Sequence, residues 1–177
     1  MAMTTELDAI RTAKAGSANG LLRQNHPPIP RYHTWKNLPD RLLAALLLMP
    51  GIPMIAVLVV LVRISSRGPG IYHQVRVGCN GRQFTMYKIR TMRNDAEADT
   101  GPKWASVNDP RLTLIGRFIR AVHLDELPQL FNVLAGDMAL VGPRPERPEF
   151  TTFLGREIDN YLDRLAILPG VTGLAQI

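Results

Sequence analysis

The sequence predicts an α+β fold, mostly helical, in which a membrane-embedded helix-break-helix joins interfacial amphipathic helices and a small β-hairpin. Three observations carry this expectation. Residues 42–62 hold no charged side chain, residues 71–77 and 83–89 alternate β-formers with polar residues around Gly78-Cys79-Asn80-Gly81, and apolar residues recur at helical spacing after Pro110 and Pro148. The 177 residues leave room for one domain with an appendage. A content of 46% hydrophobic and 20% charged residues is too apolar for a disordered chain and too charged for a bundle of membrane helices. Cys79 is the single cysteine, which excludes an internal disulfide framework and a cysteine-clustered zinc site and suits a reducing compartment. Lys and Arg total 21 against 15 acidic residues, and this net charge of +6 points to a polyanion or to anionic membrane lipids as partner.

Residues 1–36 are expected to form a loose cytoplasmic tail. They are polar, pass through His26-Pro27-Pro28-Ile29-Pro30, and contain no apolar run after a basic start that would make a cleavable secretory signal. Residues 37–66 form the membrane-inserted segment. Its apolar core, Leu42 to Val62, would be about 30 Å long as a helix, the thickness of a bilayer core. Pro50 and Pro53 each remove a backbone donor near its middle, so a sharp membrane bend is expected there. Arg41 precedes the stretch while Arg63, Arg67, Arg76 and Arg82 follow it, so both flanks favour the cytoplasmic side and a re-entrant path. A single span and a buried core helix are the other readings of the same residues.

Residues 67–177 form the cytoplasmic domain. No Asp or Glu falls between Arg41 and Asn94, whereas seven basic residues do. The predicted hairpin, Ile71 to Val77 and Gln83 to Ile89, puts Lys88 and Arg90 on one face, either to meet anions or as a solvated basic edge. Asp109-Pro110 is expected to cap a helix whose apolar face is Leu114, Ile115, Phe118, Ile119 and Val122, flanked by Arg111, Arg117 and Arg120. A further amphipathic helix is expected from Pro148 through Phe150, Phe153, Leu154, Ile158, Tyr161 and Leu165. Asp125 and Glu126 lie between Leu124 and Leu127. Asp125 either caps a helix running from Pro128 to Gly136, or serves as a nucleophile or metal ligand whose charged form nearby arginines stabilise.

Several separated motifs then occur in the order of one family. Leu124-Asp125-Glu126-Leu127-Pro128-Gln129-Leu130, Asn132-Val133-Leu134, Gly136-Asp137-Met138 and Leu140-Val141-Gly142-Pro143-Arg144-Pro145-Glu146 resemble the signature of bacterial sugar transferases, the monotopic phosphoglycosyl transferases. Gly68-Pro69, Gln74-Val75-Arg76-Val77-Gly78, Tyr87-Lys88-Ile89-Arg90-Thr91-Met92 and Pro169-Gly170-Val171-Thr172-Gly173-Leu174-Ala175-Gln176 extend the resemblance from about residue 40 to the end. It implies transfer of a sugar 1-phosphate from a UDP-sugar to polyprenyl (undecaprenyl) phosphate at the cytoplasmic face of the bacterial inner membrane, with release of UMP. Asp125 matches the nucleophile that forms a phosphosugar-aspartyl intermediate, and Glu126 the carboxylate associated with Mg²⁺. Arg120 and Arg144 match basic positions suited to phosphate, and Lys88 and Arg90 also match. Pro53 is the better match for the family's helix-breaking proline. His123 stands where the family more often has a small polar residue, which implies a local packing or hydrogen-bonding role.

The resemblance also implies a chain that continues past Ile177, so the expectation for this form is lower stability and weak or no transferase activity alone. The alternative function is a truncated, inactive relative acting as a membrane-associated binding or regulatory subunit. A nucleic-acid partner is not expected, because it would explain the charge but not the uncharged residues 42–62.

Overall fold

The computed structural model describes residues 31–96 and 109–173; residues 1–30 of the expected tail and the residues after 173 lie outside the described residues, while residues 31–36, expected to belong to the loose tail, are helical because the first helix starts at Arg31. The first element, α1 (Arg31–Ser65), is a helix of 35 residues. Among the described residues it alone is long and apolar enough to cross a membrane. Asp40, Ala44, Leu48, Gly51, Leu58 and Val62 are buried at spacings of three and four, with Ile55 half-buried in the same row. One stripe therefore packs on protein from end to end, over about 33 Å. The opposite face exposes Leu42, Leu46, Met49, Ile52, Val57, Val60 and Ile64.

The helix-break-helix expected at Pro50 and Pro53 is not seen as a break, because α1 stays helical through Pro39, Pro50 and Pro53. Pro50 and Pro53 are three residues apart and both exposed, so the hydrogen bonds they remove lie on the outward side. The ladder on the packed side persists.

Strands β1 (Ile71–Val77) and β2 (Gln83–Ile89) pair antiparallel over the expected residues, Tyr72 opposite Lys88 and Arg76 opposite Phe84. Asn80 takes a left-handed conformation in the connecting turn, at φ 52°. Helix α2 (Leu114–Ala121) begins later than expected. Thr113 is its cap and accepts a hydrogen bond from the Gly116 amide at 2.9 Å, while Asp109 accepts from the Arg111 amide and binds the Arg111 guanidinium at 2.6 Å. A charged partner two residues away holds Asp109 in a local turn in place of a helix start. Helix α3 (Gln129–Ala135) ends as expected at Gly136, which is left-handed at φ 91°.

Strand β3 (Ala139–Val141) pairs in parallel with β4 (Gly170–Thr172), a pairing not predicted from the sequence. The helix expected from Pro148 through Leu165 is divided. Helix α4 (Pro148–Glu157) stops at extended Ile158, and a 3-10 turn, Tyr161–Ala166, follows Asn160 at φ 60°. A left-handed residue cannot continue a right-handed helix, so the apolar spacing spans two elements.

Two apolar clusters join the domain to α1. Ala44 and Leu48 pack with Phe84, Met86, Leu130, Val133 and Met138; Leu58 and Val62 pack with Ile89 and Ile119. Buried Asn132 links β2 to α3 by accepting from the Tyr87 amide at 3.2 Å and donating to the Thr85 carbonyl at 2.7 Å. Gly116 lets α2 approach Thr91, for a Cβ there would lie 1.9 Å from the Thr91 carbonyl oxygen. Gly116→Ala is therefore expected to destabilise the domain by about 1–3 kcal/mol. A thermal melt reads this directly, and an unchanged midpoint would contradict the close approach.

Candidate active site

The acidic pair sits in a 3-10 turn, Leu124–Glu126, that follows His123 in a left-handed conformation at φ 57°. His123 is exposed and shapes this turn through its backbone: its amide donates to the Arg120 carbonyl and its carbonyl accepts from the Glu126 amide. Leu124 and Leu127 pack into the cluster around Leu58 and Ile119, which draws the intervening carboxylates inward. Asp125 is 6% exposed. The cap expected of Asp125 is not made, since α3 starts after Pro128 without a side-chain cap. Its buried Oδ1 accepts no hydrogen bond from any described residue.

Lys88, carried by β2, donates to Glu126 Oε1 at 2.7 Å. Arg144, from the segment after β3, reaches the same oxygen at 3.3 Å. A cavity of about 410 Å³ opens here, and Asp125, Lys88, Arg120, Arg144, Arg76 and Glu146 contribute to its lining. The Arg120 guanidinium makes no hydrogen bond among the described residues, and its charge acts on Asp125. Arg90 also lines the cavity, but its guanidinium donates to the Arg67 carbonyl at 3.0 Å and to the Ser66 carbonyl at 2.7 Å. It ties down the chain leaving α1. Gly68, at φ 120°, makes room for it, since a Cβ there would fall 2.2 Å from the guanidinium. Pro50 and Pro53, on the outer face of α1, contribute nothing to the cavity lining.

Burial pushes the Asp125 carboxyl above its ordinary range, and attraction to Lys88 and Arg120 does not cancel it, with the Glu126 charge adding to the rise. The expectation that its charged form would be stabilised is thus reversed, because desolvation outweighs the cations. Glu126 goes the other way. Burial would raise it, but Lys88 and Arg144 together hold it below the usual carboxylate range. Burial lowers the Lys88 ammonium, with Glu126 opposing. Two adjacent carboxylates are thereby driven apart in basicity.

Metal fit depends on the same oxygens. No group of three or more His, Cys, Asp or Glu side chains converges among the described residues. Mg²⁺ does not require one, since it is held by one or two carboxylates with substrate phosphates. Asp125 Oδ1 and Glu126 Oε2, which carry no hydrogen bond among the described residues, are hard donors of that type.

The cavity also contains residues the sequence gave no site role. Arg76 and Glu146 lie inside quoted motifs, yet only the fold shows that they pair, at 3.5 Å. Burial lowers the Arg76 guanidinium to about 10, partly offset by Glu146, so it stays charged at neutral pH. Gln74, Tyr72 and Phe150 also line the cavity.

A buried carboxylate in a cation-lined cavity, beside a helix with an uncovered apolar face, has the chemistry of a site for phosphorylated substrates. Residues 31–177 match the family model for bacterial sugar transferases. A Bacillus subtilis (strain 168) protein provisionally named an undecaprenyl-phosphate N-acetylgalactosaminyl 1-phosphate transferase is 50% identical over 135 residues, 76% of this chain and 75% of that protein. The UDP-glucose:undecaprenyl-phosphate glucose-1-phosphate transferase of Xanthomonas campestris pv. campestris is 43% identical over 142 residues, 80% of this chain but 29% of that protein. The enzyme of the same name from Caulobacter vibrioides is 39% identical over 154 residues, 85% of this chain and 57% of that protein. The chain belongs to the bacterial sugar transferase family, a family of phosphoglycosyl transferases.

The direction of the Asp125 shift has a stability consequence. The folded chain holds this proton more tightly than the unfolded chain, so ionised Asp125 lowers stability at every pH above its folded pKa; the penalty fades as pH falls to the ordinary Asp range. Asp125→Asn is expected to raise the melting temperature at neutral pH, and by less at pH 4. A lower melting temperature at neutral pH would show that Lys88 and Arg120 outweigh burial.

Proposed function

We propose that the chain transfers a sugar 1-phosphate from a UDP-sugar to undecaprenyl phosphate through a phosphosugar-aspartyl intermediate on Asp125, releasing UMP. The carrying observation is the buried Asp125 carboxylate, whose Oδ1 accepts no hydrogen bond from the described residues, in a cavity lined by Lys88, Arg120 and Arg144. The names of all three relatives specify undecaprenyl phosphate, and two specify UDP-glucose.

In the first step an Asp125 oxygen attacks the phosphorus that bears the sugar. The bond from that phosphorus to the bridging oxygen breaks, and UMP leaves with the electron pair. In the second step a phosphate oxygen of the lipid attacks the same phosphorus and the aspartyl–phosphate bond breaks, regenerating the carboxylate. No proton is gained or lost by the enzyme over the cycle. Burial suits this role, since a desolvated carboxylate with a raised pKa is the more basic nucleophile. Arg120 and Arg144 offer planar forks to phosphate oxygens, and Lys88 a point charge. Arg90, occupied by the end of α1, holds the β2 wall in place. Glu126, kept anionic, would hold Mg²⁺ with the substrate phosphates, and the ion would neutralise charge on the diphosphate.

The same reading puts the enzyme at the cytoplasmic face of the bacterial inner membrane, in the first membrane step of exopolysaccharide or glycoconjugate synthesis. Both ends of α1 are tied to one domain. Asp40 accepts from the Leu140 amide at 3.2 Å and Arg41 donates to the Ala135 carbonyl at 3.1 Å, while Arg90 holds the carbonyls of Ser66 and Arg67 at the other end. A perpendicular span would carry one of these attachments across the bilayer with its share of the domain. On this reading both flanks stay on the cytoplasmic side, with the outer face of α1 in lipid. Leu114, Phe118 and Val122, exposed along one edge of α2, extend the apolar surface toward anionic headgroups.

The direct test is UMP release in a panel of UDP-sugars with undecaprenyl phosphate and Mg²⁺. Whatever turnover the wild type shows, weak in the short form, is expected to fall at least about 1,000-fold in Asp125→Asn; full activity in that variant would refute the assignment. For topology, cysteines at Leu38 and Arg67 in a Cys79→Ser background should label from the cytoplasmic side alone. Labelling from opposite sides would establish a single span.

A further inference from the structure

One group of residues in the cavity lining has a different chemistry from the rest. Lys88, Arg120 and Arg144 suit phosphates, whereas Arg76 is already engaged: its guanidinium donates to the Pro145 carbonyl at 3.1 Å, to Gln74 Oε1 at 2.5 Å and to Glu146 Oε2 at 3.5 Å. Gln74 passes the polarity on by donating through Nε2 to the Tyr72 hydroxyl at 3.0 Å. Two capacities remain open. Glu146 Oε1 carries no hydrogen bond among the described residues, and the Tyr72 hydroxyl, having accepted from Gln74, still has a proton to donate.

The wall holding Glu146 is fixed from both sides. The Val77 amide donates to the Glu146 carbonyl at 2.9 Å, and Arg164, stacked on Tyr161 at 4.9 Å, donates to the Arg144 carbonyl at 2.5 Å. A carboxylate there repels phosphate. It accepts hydrogen bonds strongly, and a neighbouring hydroxyl donor matches a ligand group that both donates and accepts.

We propose that Glu146 and Tyr72, oriented by Arg76 and Gln74, form the hydroxyl-recognition subsite for the nucleotide sugar. This rests on the transferase reading above. One cavity would then take phosphates at Lys88, Arg120 and Arg144 beside Asp125 and hydroxyls at Glu146 and Tyr72, as a molecule carrying both requires. The hydroxyls come from the ribose of the nucleotide or from the transferred sugar, which share this chemistry.

The test is calorimetric binding of UDP-glucose to the full chain in the Asp125→Asn background, which prevents turnover, with and without Glu146→Gln or Tyr72→Phe. Glu146→Gln keeps the shape and replaces one acceptor oxygen with a donor, so affinity should fall about tenfold or more. Tyr72→Phe should lower it less, and Glu146→Asp should restore part of the loss. If the ribose is the ligand, UMP binds more tightly than 2′-deoxy-UMP or 3′-deoxy-UMP, and Glu146→Gln abolishes that preference. If the sugar is the ligand, UMP affinity is unchanged in Glu146→Gln and the variant stops discriminating UDP-glucose from deoxy-sugar donors. Wild-type affinity with undiminished discrimination in both series would overturn the subsite. So would an affinity loss matched by a lowered melting temperature and not reduced by Glu146→Asp. Tight UDP-glucose binding with no UMP release by the wild type from any UDP-sugar of the panel would refute the transferase reading and leave the subsite standing.

Discussion

Everything in the molecule leans on the packed stripe of α1. Ala44 and Leu48 close one apolar cluster and Leu58 and Val62 the other, and the residues they meet come from β2, α2, α3 and the turn between α3 and β3. Fully burying each of the larger side chains contributes about 1.5–3 kcal/mol, so detaching α1 would open both clusters at once. The consequence for chemistry is geometric. Lys88 follows Met86 on the strand that packs on Leu48, and Asp125 and Glu126 sit between leucines that pack around Leu58. Apolar packing thus sets the distance between the charges.

That packing also brings the site close to the surface that remains uncovered. The face of α1 away from the domain and one edge of α2 expose large apolar side chains, while the basic residues gather around the cavity behind them. A phosphate on a long apolar lipid has the matching polarity. The buried Asp125 works against stability in this arrangement, and the cations around it offset only part of the cost. Natural active sites commonly keep such a group where the reaction needs it.

The hairpin was fully legible because Ile71 to Val77 and Gln83 to Ile89 show the period of a strand and glycines mark the turn between them. The acidic pair and its basic partners were legible from motif order. Other features depend on competition that local pattern does not reveal. Pro50 and Pro53 signalled a break, yet both fall on the outer side of a helix held by its inner side. Asp109-Pro110 carried a capping signal that Arg111 diverted and Thr113 replaced. Strands of three residues, such as β3 and β4, are too short to show a period, and their parallel pairing joins residues far apart in sequence. The stabilisation expected for the charged form of Asp125 failed for a related reason: neighbouring arginines can be read from sequence, but the depth of burial cannot. The pairing of Arg76 with Glu146 was likewise hidden until β1 met the segment after β3.

The account stands or falls on a covalent bond to Asp125. The purified chain should be incubated with UDP-glucose, or the UDP-sugar that supports turnover, without lipid acceptor, and examined by intact mass and peptide mapping. The expected result is a mass increase of one sugar phosphate on the peptide containing Asp125, absent in Asp125→Asn and discharged by undecaprenyl phosphate. UMP release that requires the lipid acceptor and leaves no adduct without it, or an adduct on another residue, would contradict the account.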